Sequence, residues 1–152
     1  MNDADLLAAF LAPSLPEKEW THRAHIRVGW ILLETTSAPT PRARLDRAFT
    51  RMRDGLHILN ASHNVRDEPT RGYHETITLA FMRVLDAARR EIHTPDSDSF
   101  CDARPDLMTK LVLLKHYSRE RIMSAEAKAR FIEPDLEPLP PLPSDTPDTL
   151  QT

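Results

Sequence analysis

The chain has 152 residues, 40% of them hydrophobic and 28% charged, with a formal net charge of −3 and a single cysteine. That length holds one core and is short for two domains, and the charge balance excludes the basic excess of a nucleic-acid binder. The lone Cys101 excludes an internal disulfide and a thiolate metal cluster, and reads as a small core residue in a reducing compartment.

No run approaches the roughly 20 apolar residues that cross a bilayer, and the first residues carry acids where a signal peptide carries bases. The expectation is a cytoplasmic protein that does not engage a membrane.

In chain order, Asn2 or Asp3 caps a first helix with an apolar stripe of Leu6, Leu7, Phe10 and Leu11, closed before Pro13. Thr21 caps a second helix that runs to about Thr36, with Trp20 against its start. Thr40 followed by Pro41 opens a third, whose core face is Leu45, Ala48, Phe49, Met52, Leu56 and Leu59. Between Asn60 and Arg71 the pattern dissolves into a polar, aperiodic stretch with Pro69, read as a mobile loop. From Gly72 a fourth helix sets His74 in register with Ile77, Thr78, Phe81, Leu85, Ala88 and Ile92 and ends near His93.

Ser97 to Ala103 forms a short fifth helix, Leu107 to Leu114 is an apolar segment of about two turns, and Ser118 and Ser124 cap further short helices. From Pro134 onward the chain holds six of its thirteen prolines, four acids and no base. Such a composition favours an extended polyproline-like segment. Strand alternation, hairpin dipeptides and repeats are missing from the sequence. The prediction is an all-α fold: a compact bundle of about five helices, short C-terminal helices and a Pro-rich extended tail. Residues 1–133 are read as a single helical domain, and 134–152 as an acidic tail, partly docked and then disordered.

The second and fourth helices both start with histidines on their apolar side. Short connections make successive helices antiparallel, which brings those two starts to one end of the bundle together with the end of the third helix and the 60–71 loop. His22 and His25, three apart, have side chains about 5 to 6 Å from each other, and His74 adds a third imidazole. A helix N-terminus disfavours protonated imidazole and keeps the ring neutral, the form that ligates metals. The expectation is a divalent metal, Fe, Zn, Mn or Cu, held by His22, His25 and His74 in a small helical metalloprotein that acts as an enzyme on a small molecule. Glu75 is the candidate catalytic base, and Tyr73 lines the pocket. Tyr117, Arg119 and Arg121 form a candidate substrate anchor, because guanidinium suits an anionic group.

The competing reading is a non-catalytic small-ligand or protein interaction module with a structural histidine cluster. The two readings separate on whether the imidazoles converge on one point or are tied to main-chain carbonyls. His57, His63, His93 and His116 are read as structural or surface residues, and a homodimer is compatible with either reading.

The runs Trp20-x-His22-Arg23-x-His25, Gly72-Tyr73-His74-Glu75-Thr76-Ile77-Thr78, Tyr117-Ser118-Arg119-Glu120-Arg121 and Glu133-Pro134-Asp135-Leu136-x-Pro138-Leu139 span most of the chain. In these motifs it resembles a widespread family of small uncharacterised bacterial proteins, many of which carry Tyr-Tyr-Ser where this chain has His116-Tyr117-Ser118. The resemblance brings no catalytic role with it. It implies that the tail docks on the body through Leu136 and Leu139.

Overall fold

The computed structural model describes residues 1–147. Among them are seven α-helices: α1 (Asp3–Leu11), α2 (His22–Thr35), α3 (Pro41–Ser62), α4 (Glu75–Glu91), α5 (Ser97–Ala103), α6 (Arg119–Ile122) and α7 (Ala125–Ala129). Three 3-10 turns, Glu17–Glu19, Pro105–Leu107 and Lys110–Lys115, join them. The described residues contain no strand, only one isolated bridge between Glu68 and Arg71. No helix of the described residues is long and apolar enough to cross a membrane.

Side-chain oxygens set the helix starts. Asn2, Thr21, Thr40, Ser118 and Ser124 each accept an N–H from the first turn they precede, satisfying a donor that the helix cannot pair internally. Pro41 takes the first helical position of α3, where its missing N–H costs nothing.

The core is organised on α2, which packs against α1, α3, α4 and α5. Ile26, Val28, Trp30, Ile31, Leu32 and Leu33 are all buried, so apolar residues face neighbours around most of the helix and not along one stripe. Against α2 lie Leu45, Met52 and Leu59 of α3 and Ala80, Met82 and Leu85 of α4, all buried. Phe10 of α1 is fully buried against the backbone of α3 at Gly55, where a Cβ would fall inside van der Waals contact of the ring edge. Gly55→Ala is therefore expected to destabilise by about 1 to 3 kcal/mol through overpacking. Chemical denaturation measures it, and an unchanged midpoint would show that the Phe10 ring can step aside.

The chain beyond α7 is ordered in an extended strap over residues 134–147. The Arg83 guanidinium donates to the Pro140 carbonyl (2.8 Å), His116 to the Glu137 carbonyl (3.0 Å), and the Arg42 N–H to the Ser144 carbonyl (2.9 Å). Thr40, the cap of α3, also donates to the Asp145 carboxylate (2.9 Å). Leu139 is buried at 6% exposure, as expected, but Leu136 is 54% exposed and is held by its main-chain N–H on the His116 carbonyl (2.9 Å). Docking there rests on hydrogen bonds and not on both leucines. The disorder expected toward residue 152 lies outside the described residues.

Candidate functional site

The N-terminal ends of α2 and α4 meet the C-terminal half of α3 at one end of the bundle, as the antiparallel argument requires. Between them is a cavity of about 330 Å3. Ile26, Met52, Leu56, Ile77, Phe81, Met82 and Leu85 supply apolar walls, and His22, His25 and His74 line it as well. The segment after α3 folds over it as a tight hairpin. Asn64 adopts a left-handed conformation (φ 57°), Glu68 and Arg71 exchange main-chain hydrogen bonds, and Gly72 turns the chain back at φ 87°. A side chain at Gly72 would be strained and would crowd Asp67. Pro69, Thr70 and Arg71 thus form one side of the cavity, and the Asp67 carboxylate pairs with Lys128 of α7.

The histidines share this cavity but have different partners. His74 is not in the first turn of α4. Its backbone is extended (φ −130°, ψ 109°) and its ring is the N-cap: Nδ1 accepts the Ile77 N–H (3.0 Å), and Nε2–H donates to the Ile122 carbonyl (2.8 Å). Both nitrogens are committed, which fixes the neutral tautomer and leaves no lone pair for a metal. This departs from the expected ligand role of His74, because the turn at Gly72 and the extended backbone of His74 itself place the imidazole one position ahead of the helix.

His22 donates Nε2–H to the Leu107 carbonyl (3.0 Å), and its ring stands edge-on to Phe81 with centroids 5.4 Å apart. His25 donates Nδ1–H to the Thr21 carbonyl (2.9 Å) and lies against Trp20 with centroids 4.0 Å apart. Each of these two keeps one nitrogen without a hydrogen bond among the described residues: Nδ1 of His22 and Nε2 of His25. No group of three or more His, Cys, Asp and Glu side chains with metal-binding geometry occurs among the described residues.

Desolvation dominates the electrostatics. Burial pushes His25 down to about 4, against the rise caused by its bond to Thr21. Burial likewise lowers His22 and His74, each partly offset by its own carbonyl bond, while Lys110 adds to the lowering at His22 and Lys128 at His74. All three rings are neutral at neutral pH.

The other expected residues lie elsewhere. Glu75 does not line the histidine cavity. It accepts from Tyr73 Oη (2.6 Å), lies 3.6 Å from Arg53, and borders a second cavity of about 390 Å3 with His57 and Asp67. Its carboxylate is already paired there, and nothing brings it near His22 or His25 as a base. Tyr73 borders both cavities, packs against His57 with centroids 4.5 Å apart, and has its hydroxyl pKa raised first by burial and then by Glu75. Tyr117 is fully buried and donates to the Ile132 carbonyl (2.7 Å), which makes it a core residue and not a ligand contact. Arg121 donates to the Glu133 carbonyl (2.7 Å) and Arg119 is exposed at the start of α6; neither lines the cavity, so the arginine clamp is not assembled. Ser118, which caps α6, separates the buried Tyr117 from the exposed Arg119, and Arg121 is taken up by the Glu133 carbonyl.

Sequence reasoning missed Lys110, Arg71 and Lys128, which line the cavity from three separate segments. Helical spacing carries no signal for residues brought together from such distances, and Lys128 reads as part of a solvated helix face. Comparison with protein-family models, with curated proteins and with solved structures found no match to this chain.

Proposed function

We propose that this protein is a small-molecule binding module whose ligand occupies the 330 Å3 cavity between α2, α3 and α4, with the histidines serving mainly as structure. The observation that carries this reading is that all three expected ligands donate to main-chain carbonyls around apolar walls, and that the second nitrogen of His74 is also taken, accepting the Ile77 N–H. The volume lies at the small end of the roughly 300 to 1,000 Å3 of small-molecule sites, which combine apolar walls with a few placed polar groups. His22 Nδ1 and His25 Nε2 are acceptors for a hydroxyl or N–H of the ligand.

A panel of medium-chain aliphatic and single-ring aromatic amphiphiles tests it by thermal shift and by the fluorescence of Trp20, which lies against the cavity residue His25. A ligand at a hundred times its dissociation constant adds about 2.7 kcal/mol, a rise in melting temperature of roughly 5 to 10 °C for a domain of this size. Ile77→Trp, which fills the cavity from its wall, is expected to abolish the shift while the variant stays folded. A panel without a single shift, or shifts unchanged in Ile77→Trp, would reject the cavity as the binding site.

A second reading, a metal on His22 and His25 with its remaining positions filled by water or ligand, is favoured by the two unbonded nitrogens three residues apart on α2. Calorimetric titration of the metal-free protein with Zn(II), Mn(II), Cu(II) and anaerobic Fe(II) separates it from the first. Stoichiometric uptake lost in His25→Gln would establish it.

A further inference from the structure

The charged side chains that line the cavity are of one sign. Arg71, Lys110 and Lys128 line it and no carboxylate does, although the whole chain carries a net charge of −3. Three cations without an acid in one lining is a local inversion of the molecule's charge.

Their positions are graded. Ile26, Met82 and Leu85, at the apolar floor, are buried, whereas Arg71 and Lys110 are exposed at the rim. Lys128 is mostly buried and paired with Asp67, whose own side chain is 84% exposed and lies outside the cavity lining. Arg71 and Lys110 form no ion pair among the described residues. The imidazoles between rim and floor are neutral, which matches the effect of Lys110 on His22 and His25 and of Lys128 on His74.

From the unpaired rim cations above an apolar floor, we infer that the ligand is an amphipathic monocarboxylate, its apolar body inward and its carboxylate at Lys110 and Arg71. This rests on the cavity being the binding site and specifies what it binds. Charge-assisted hydrogen bonds from ammonium and guanidinium to a carboxylate are about twice as strong as neutral ones. A cationic head group would face the like charges of Lys110 and Arg71, and a neutral one would leave both without a counter-charge.

The experiment compares head groups on fixed bodies. Octanoate, octanamide and octylamine, and phenylacetate, phenylacetamide and phenethylamine, are titrated against the full chain by calorimetry at low salt. The better-fitting carboxylate is expected to bind at least tenfold more tightly than its amide, and its amine not to bind. In Lys110→Met, whose side chain is exposed and outside the core, that preference falls to less than threefold, because the carboxylate loses more affinity than the amide. Equal affinity of acid and amide, or the tightest binding by an amine, overturns the carboxylate assignment and leaves the cavity reading intact. A preference that survives in both Lys110→Met and the Lys110→Met, Arg71→Met double variant overturns it too. Failure of every member of both series to bind removes the cavity reading itself.

Discussion

His74→Ala is expected to lower the unfolding free energy by about 2 to 4 kcal/mol, with no accompanying sensitivity to chelator. The substitution removes the cap of α4, a loss of roughly 0.5 to 2 kcal/mol. It also leaves the Ile122 carbonyl without its donor, at about 1 to 3 kcal/mol if no water replaces it. His74→Asn can still accept the Ile77 N–H but is too short to reach Ile122, so it should recover the capping part alone. Urea unfolding of the three proteins, with and without chelator, gives both results. A wild-type melting temperature that drops on chelation would show that a metal stabilises the native state, and would favour the His22 and His25 metal site over the metal-free cavity.

Acid should destabilise the protein well before its carboxylates titrate. An unfolded histidine takes up its proton near 6.5, whereas His25 in the native state does so only near 4. Below 6.5 the unfolded chain therefore binds the proton that the folded chain refuses, and stability falls as pH drops from 6.5 toward 4; above 6.5 both forms are neutral and the effect vanishes. The full difference corresponds to about 3 kcal/mol, and nearer 2 once residual solvent access to the ring is counted. His22 and His74 act in the same direction. The depressed carboxyls Asp67, Asp96, Asp106 and Asp135 cannot account for a loss in this window, because their stabilising effect is lost only below the ordinary carboxylate range. Denaturation midpoints at pH 7 and 4.5 measure the slope. His25→Phe, which keeps a ring against Trp20, should reduce it to the part that His22 and His74 supply, and a slope unchanged in that variant would place the effect in another group.

Both predictions turn on how far local pattern extends into tertiary structure. Helix caps are local: Thr21, Thr40, Ser118 and Ser124 each announce a helix within three residues of themselves, and the structure uses them all. The meeting of the α2 and α4 starts was legible too, because antiparallel packing follows from short connections. His74 was placed inside the first turn and not at the N-cap, because imidazole is not among the usual capping side chains, and nothing in the apolar spacing distinguishes a residue in the first turn from one just before it. Tyr117-Ser118-Arg119-Glu120-Arg121 has the composition of an anion clamp, yet its orientation depends on which way one serine-capped turn faces. Lys110 and Lys128 reach the cavity through the path of the intervening backbone, which helical periodicity does not encode.

The strap over residues 134–147 ties together parts of the chain that are far apart in sequence. Its bonds join Arg83 to Pro140 and Thr40 to Asp145, 57 and 105 positions apart. Contacts so distant close large loops, and their entropy cost has to be met before they return any stability. The helical body, which holds almost all of the buried apolar side chains while the strap contributes Leu139, is expected to assemble first and the strap to latch afterwards, over helices already in place. The same order run backwards makes the strap a separate unit of local opening. Amide exchange at Arg42, which donates to Ser144, should therefore be faster than at Leu85 in the middle of α4, and a protease given the native protein should cut within the strap before it reaches any of the long helices.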